Sequence, residues 1–143
     1  MGTVDPAHPR RSRPRRLAAM AVLIVVGLGW RSGYLPFPGF LVKYGGDALW
    51  AWLVFVGLTA VFPGRRTLPL AVGALAVAAA VEFLQLHHGP WLEAARSTRL
   101  GRLALGTTFN PPDLIAYAVG IALGAAVDFG RLSFGSRLRR RPD

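Results

Sequence analysis

The chain has 143 residues, which fits a single domain, and 52% of them are apolar, a share too high for a typical soluble domain. The formal net charge is +10, but ten of the 17 Lys and Arg residues lie in two tails that lack interleaved aromatic residues, so the charge does not indicate nucleic-acid binding. The absence of cysteine excludes disulfides and thiolate chemistry.

The chain begins with a Pro- and Arg-rich segment, residues 1–16, which we predict to be a disordered basic tail. An apolar run follows from Leu17 to Trp30, and we predict a first membrane span over about 17–33. A basic start before a short apolar run is also typical of a signal peptide, so cleavage of this segment stays open at this point. Both alternatives place the following residues outside the cytoplasm.

Three further apolar segments are long enough for transmembrane helices, at about residues 46–62, 68–86 and 113–129. The connection between the last two contains residues 91–96, which we predict to be a short amphipathic helix at the membrane interface. The last span begins at Asn110-Pro111-Pro112-Asp113, with Asn as the expected cap and Pro in the first turn.

These segments predict an all-α membrane protein with four transmembrane helices over residues 17–130 and a basic cytoplasmic tail over 131–143. With the N-terminus inside, the two tails and the turn at 63–67 carry 12 Lys and Arg residues, whereas the two other connections carry 5. Because positive residues are enriched on the cytoplasmic side, we predict a multi-pass protein of the bacterial inner membrane with both termini in the cytoplasm.

Polar residues collect at the predicted outer ends of these helices. Glu82 lies near the end of the third apolar segment, and Gln85 shares its helix face. A charge within such a membrane-length apolar run is costly, roughly 2.5 kcal/mol or more at the bilayer centre. Asp47 and Asp113 begin the second and fourth spans, where helix capping is an alternative reason for an acid. The third and fourth spans carry small-residue stripes, which we expect to pack together and to bring Glu82 near Asp113. The stripes are Ala74 and Ala78 in the third span, and Ala116, Gly120 and Gly124 in the fourth.

Arginines in the outer connection supply the opposite charge. Arg96 and Arg99 face one way if their segment is helical, and the guanidinium fork suits carboxylate or phosphate, although these arginines are also suited to lipid phosphates in general. The adjacent His87 and His88 point apart on a helix, so no metal site and no cofactor are predicted. No nucleophile has a base beside it in the sequence, so whether the protein is an enzyme stays open.

Several of these residues lie in an ordered series of motifs, KYGGDALW at 43–50, EFLQL at 82–86, TRLG at 98–101 and DLIAYAVG at 113–120. The series resembles the bacterial family called domain of unknown function 2809 over about residues 30–128, and more distantly the VanZ-like proteins. The resemblance implies four helices and a shared polar cluster, without a known activity. In the VanZ-like motif D-x-x-x-N-x-x-G, Tyr117 stands at the position of the Asn.

Two functions remain open from the sequence. The first is binding or processing of a polar, lipid-linked or anionic headgroup by an outward-facing cluster of acids and arginines, with membrane lipids and no nucleic acid as partners. The second is a non-enzymatic structural or regulatory role in which the cluster is an internal ion-pair network. The candidate ligand-binding residues are Asp47, Glu82, Gln85, Arg96, Arg99, Asp113 and Tyr117.

Overall fold

The computed structural model describes residues 11–138, with side chains through Ser133. Within that range it contains six helices and no strand, which confirms the all-α class: α1 Arg13–Trp30, α2 Gly39–Val61, α3 Thr67–Leu84, α4 Pro90–Ser97, α5 Arg99–Leu105 and α6 Pro112–Leu138. Of the predicted tails, residues 1–10 and 139–143 lie outside the described residues, while α1 begins at Arg13 and α6 continues to Leu138.

Three helices, rather than the predicted four, are long and apolar enough to cross a membrane: Gly39–Val61, Thr67–Leu84 and Pro112–Ser133. The prediction fails at the first span, because the 18 residues of α1 include three arginines at its start and α1 ends at Trp30, before residue 33. Its apolar part, 14 residues, is about 21 Å long, shorter than the roughly 30 Å hydrocarbon core of a bilayer. By length and composition, the fold is that of a membrane-associated protein.

Helix α2 lies at the centre of the bundle. It packs against α1, α3 and α6, and α3 also packs against α6. The buried core combines large residues of α2 and α6 with small residues of α3. Many apolar side chains on the outer faces of these helices are exposed, as expected where the surrounding solvent is lipid.

The small-residue stripe of α6 faces α2, so the prediction that it packs against α3 is wrong. A Cβ atom added to Gly120 would lie 2.0 Å from the carbonyl oxygen of Ala48 in α2, and one added to Gly124 would lie 2.7 Å from the Trp52 ring. The stripe is used for the closest backbone approach, which is with α2. The small side chains of α3, Ala74 and Ala78, instead belong to the same buried cluster as Tyr117 of α6.

The connection between α3 and α6 holds two short helices, α4 and α5, where the sequence predicted one. Thr98 separates them, and its hydroxyl accepts a hydrogen bond from the N–H of Gly101 at 2.9 Å, so this residue caps α5. The predicted start of α6 is at the right place, since Pro112 is its first residue. The Asn110 side chain does not cap this helix; it donates to the carboxylate of Asp113 at 2.5 Å.

Candidate functional site

Four helix ends meet at one end of the bundle, which we call the Glu82 end. They are the C-terminal ends of α1 and α3 and the N-terminal turns of α2 and α6. Up-and-down packing of consecutive helices brings these ends together although they are far apart in sequence. The opposite end, where α1 and α3 begin, is called the Asp128 end.

Glu82 is completely buried and its carboxylate accepts three hydrogen bonds. Oε1 accepts from the backbone N–H of Asn110 at 2.6 Å, and Oε2 accepts from the Tyr117 hydroxyl at 2.9 Å and from the Gln85 amide at 3.0 Å. These partners come from α3, from α6 and from the loop before α6. Glu82 therefore fixes the loop and two helices relative to one another through neutral donors.

A second group of charges lies beside Glu82, with Lys43 at its centre. The Lys43 ammonium contacts the Asp113 carboxylate and lies 3.5 Å from Oδ2 of Asp47, while Arg31 donates to Oδ1 of Asp47 at 2.5 Å. Asn110 joins this group to Glu82, because its backbone donates to Glu82 and its side chain to Asp113. The expected proximity of Glu82 and Asp113 is present, although Asn110, rather than the glycine stripe, connects the two carboxylates.

The charged group borders an open pocket of about 650 Å³, within the range of small-ligand sites. Its lining includes three cations, two carboxylates and several neutral hydrogen-bonding groups: Arg31, Lys43, Arg102, Asp47, Asp113, Gln85, Thr107, Thr108 and Tyr117. Gly106 forms part of the wall with a φ of +65°, and a Cβ there would lie 2.5 Å from the Gln85 amide. A side chain at residue 106 would be strained and would displace Gln85.

Arg102 is the cation in this lining that is available to a ligand. It is exposed, and its guanidinium donates to the Ser97 carbonyl at 3.5 Å. Among residues 11–133 it forms no ion pair, whereas Lys43 and Arg31 both bind acids. A guanidinium without a carboxylate at the edge of a pocket is suited to a phosphate or carboxylate ligand.

An apolar groove of about 330 Å³ adjoins the polar pocket. Arg31 and Leu103 line both of them, so the two are neighbours on one surface. The rest of the groove is almost wholly hydrocarbon, from α1, α2 and α5: Leu23, Ile24, Leu28, Leu49, Leu53 and Leu100 are among its residues. A polar cavity beside an apolar groove matches the two parts of an amphiphilic molecule.

The structure places the sequence-predicted residues in different settings. Asp47, Asp113, Gln85 and Tyr117 line the pocket, whereas Glu82 lies behind it. Arg96 is buried and donates to the carbonyl oxygens of Leu84 and His87 at 3.1 and 3.2 Å, so it holds α4 against the C-terminal end of α3.

Arg99 is exposed and lies outside the pocket lining. Sequence reasoning missed Arg31 as a site residue, and it favoured Arg96 and Arg99 over Arg102 among the cations of the outer connections. The signal for Arg31 was its position at the end of α1, beside the predicted outer end of α2.

Among the described residues, no three His, Asp or Glu side chains form a set that could hold a metal ion.

A second buried cluster at the Asp128 end was also missed. The fully buried Asp128 carboxylate accepts from Arg11 Nε at 3.0 and 3.1 Å, from Arg11 Nη2 at 2.6 Å and from the Thr67 hydroxyl at 2.6 Å, and it also contacts Arg16. The Arg11 backbone N–H donates to the Pro63 carbonyl at 3.2 Å. The cluster ties the start of α1, the α2–α3 turn and the C-terminal half of α6 together.

A comparison with protein families gives one match to this chain. The family model described as "Protein of unknown function (DUF2809)" matches residues 37–121, more than half of the sequence. The matched range contains Lys43, Asp47, Glu82, Asp113 and Tyr117, and ends before Asp128. No solved structure matches the chain. The more distant likeness to VanZ-like proteins stays a prediction.

Proposed function

This chain belongs to the DUF2809 family of proteins of unknown function, and we propose that it is a multi-pass protein of the bacterial inner membrane that binds a lipid-linked polar headgroup at its Glu82 end. The observation that carries this proposal is the shared boundary of the polar pocket and the apolar groove at Arg31 and Leu103. The hydrocarbon part of the ligand lies in the groove, and its headgroup lies in the pocket.

The charges of the pocket define the headgroup. Arg102 presents its guanidinium group to an anionic part such as a phosphate. Asp47 and Asp113 keep free acceptor capacity beside their ion pairs, since a carboxylate has about four lone-pair sites, and they suit hydroxyl or amino groups. We therefore propose a phosphorylated headgroup that also carries hydrogen-bond donors. In this arrangement Glu82 is a positioning residue, because it is buried behind Tyr117 and Gln85.

The proposed membrane orientation is supported by the position of α1. Arg16 near its start contacts Asp128, and Arg31 after its end contacts Asp47, so α1 runs from one end of the bundle to the other. The rise between these two residues is about 22 Å. Flanking arginines that reach toward the interfaces and a locally thinner bilayer accommodate so short a segment. We propose that α1 is a fourth, short membrane segment, with the Asp128 end and both termini in the cytoplasm.

An experiment on retained lipid tests the headgroup site. The full-length protein is purified in mild detergent, and native mass spectrometry compares the wild type with Arg102→Gln. We expect a discrete bound lipid species on the wild type and at least tenfold less of it on the variant, because two charge-assisted hydrogen bonds to the ligand are lost. The melting temperature should stay unchanged, since Arg102 is exposed and forms no ion pair within residues 11–133.

Arg99→Gln is the matched control for this variant. It removes the same charge from the same short helix, but Arg99 lies outside the pocket lining, so the lipid should be retained. Equal retention by both variants, or equal loss, would contradict binding in the pocket. Identification of the lipid by its fragment masses gives the chemical class of the headgroup.

The second candidate function is a structural or regulatory role. Pairing of Asp47 and Asp113 with Arg31 and Lys43 within the chain favours it. In that case the wild type carries no discrete lipid, and Lys43→Met lowers the melting temperature because two carboxylates lose their shared partner. The two functions thus differ in the presence of the lipid, which is measured first.

A further inference from the structure

A second groove, toward the Asp128 end, shares Leu23 with the apolar groove of the proposed headgroup site but is otherwise lined by different residues. Helices α1 and α6 both pack against α2, and an open groove of about 960 Å³ lies between them. Trp52 and Val56 of α2 and Gly124 of α6 are among the residues at its base, and small or branched apolar side chains line its sides: Ala18, Ala19, Val22, Leu23 and Val127. Its volume lies at the upper end of the usual range for ligand sites.

Arginines line the end of this groove that lies at the Asp128 end. Arg15 and Arg16 come from the start of α1, and Arg131 comes from the C-terminal half of α6. Arg16 is engaged by Asp128, whereas Arg15 and Arg131 are exposed and form no ion pair within residues 11–133. Two unpaired guanidinium groups, one from each helix, thus lie at one end of an apolar groove.

The charge of this region stays positive after its internal pairs are counted. Asp128 is the acid of this region among the described residues, and two arginines, Arg11 and Arg16, already bind it. The remaining acids of residues 11–133 lie toward the Glu82 end: Asp47, Glu82, Glu93 and Asp113. Within residues 11–133, an anion between Arg15 and Arg131 would therefore meet no carboxylate that is not already bound to an arginine.

We propose that this groove is a binding site for one anionic phospholipid of the cytoplasmic leaflet. The phosphate lies between Arg15 and Arg131, and an acyl chain lies along the apolar base over Val56. By sequence, residues 134–143 carry four arginines and one acid, a charge that does not complement the arginines of the groove. The proposal is independent of the headgroup site, since the two share no charged residue.

The test measures lipid binding to the full-length protein in detergent by native mass spectrometry, with dioleoylphosphatidylglycerol and dioleoylphosphatidylcholine titrated separately. We expect the wild type to bind one phosphatidylglycerol in preference to phosphatidylcholine. Arg15→Gln combined with Arg131→Gln should weaken phosphatidylglycerol binding roughly ten- to thirtyfold, because each arginine near an anionic lipid contributes about a factor of five.

The matched control is Arg13→Gln combined with Arg65→Gln. It removes two charges at the same end of the bundle from exposed side chains that do not line the groove, so phosphatidylglycerol binding should stay within about twofold of wild type. Ala18→Trp keeps every charge but fills the groove, and it should also reduce binding. Equal affinity of the two double variants, no preference for phosphatidylglycerol in the wild type, or full binding by Ala18→Trp would each overturn the proposal.

Discussion

The two fully buried carboxylates, Glu82 and Asp128, are stabilised in different ways. Asp128 is bound by two guanidinium groups and a hydroxyl, whereas Glu82 accepts from an amide, a phenol and a backbone N–H. A buried carboxylate without such partners would cost several kcal/mol. Neutral donors cannot form an ion pair with Glu82, so stabilisation of this carboxylate depends on the geometry of all three hydrogen bonds. Of the three donor residues, Tyr117 is the one that lies on a different membrane helix from Glu82.

Tyr117→Phe should therefore lower the free energy of unfolding by about 1–3 kcal/mol, the usual cost of removing one partner from a buried acceptor. The ring should keep its contact with Trp50, whose centroid is 5.4 Å away, so that the loss reports the hydroxyl. The measurement is the thermal melting of purified protein in detergent. Tyr34→Phe is the control, because Tyr34 is 92% exposed and should melt like the wild type. Melting of Tyr117→Phe at the wild-type temperature would show that Glu82 does not need this donor.

At the scale of the helices, α2 and α6 cross in close backbone contact at Gly120. Gly120→Ala should lower the free energy of unfolding by about 1–3 kcal/mol, because the new methyl would lie 2.0 Å from the Ala48 carbonyl oxygen, which is backbone and cannot rotate away. Thermal melting in detergent measures the change. Gly130→Ala in the same helix is the control: nothing lies within 4 Å of its added Cβ, so it should melt at or slightly above the wild-type temperature. Melting of Gly120→Ala at or above the wild-type temperature, as expected for Gly130→Ala, would mean that helix propensity, rather than packing, governs these sites.

The sequence predicted the elements that depend on local signals. Long apolar runs located α2, α3 and α6, and Asn110-Pro111-Pro112 located the start of α6. Helix α2 nevertheless begins at Gly39, seven residues before the predicted start at 46. Lys43 therefore lies within the helix, where it pairs with Asp47 one turn later, and an apolar run alone does not reveal this pair.

The remaining differences concern which surfaces meet in space. The small-residue stripe of α6 was recognised, but such a stripe fits any close neighbour, and its pairing with α2 depends on the whole bundle. Helix α5 has seven residues, too few for a periodic pattern to be distinguished from a loop. For the same reason the spacing of Arg96 and Arg99 did not reveal that Arg102 lines the pocket while Arg96 binds the end of α3.

At the scale of the whole molecule, the two ends of the bundle differ in charge and in ligand. The Glu82 end combines acids and cations around a polar pocket, and the Asp128 end is dominated by arginine. The proposed orientation places the arginine-rich end in the cytoplasm, in agreement with the distribution of positive charge along the sequence. Both proposed lipid sites then lie at the depths where lipid headgroups of the two leaflets are found.

Cysteine labelling in cells tests this orientation, and the chain offers a clean background because it has no cysteine. Tyr34→Cys in the α1–α2 connection and His88→Cys before α4 are exposed at the Glu82 end, whereas Ser12→Cys is exposed at the Asp128 end. A membrane-impermeant maleimide is added to cells whose outer membrane has been permeabilised and whose inner membrane is intact. It should label residues 34 and 88. It should label residue 12 only after the inner membrane is disrupted.

Residue 12 decides whether α1 crosses the membrane. Its neighbour Arg11 donates to the Pro63 carbonyl, so Ser12 lies on the same side as the α2–α3 turn, and Gly64→Cys in that turn is the matched control. Protection of both residues in intact cells requires α1 to cross, despite its short apolar length, because residue 34 lies on the other side. Labelling of residue 12 together with protection of residue 64 would mean that the Asp128 cluster does not form in the membrane. In that case the groove between α1 and α6 would not form either.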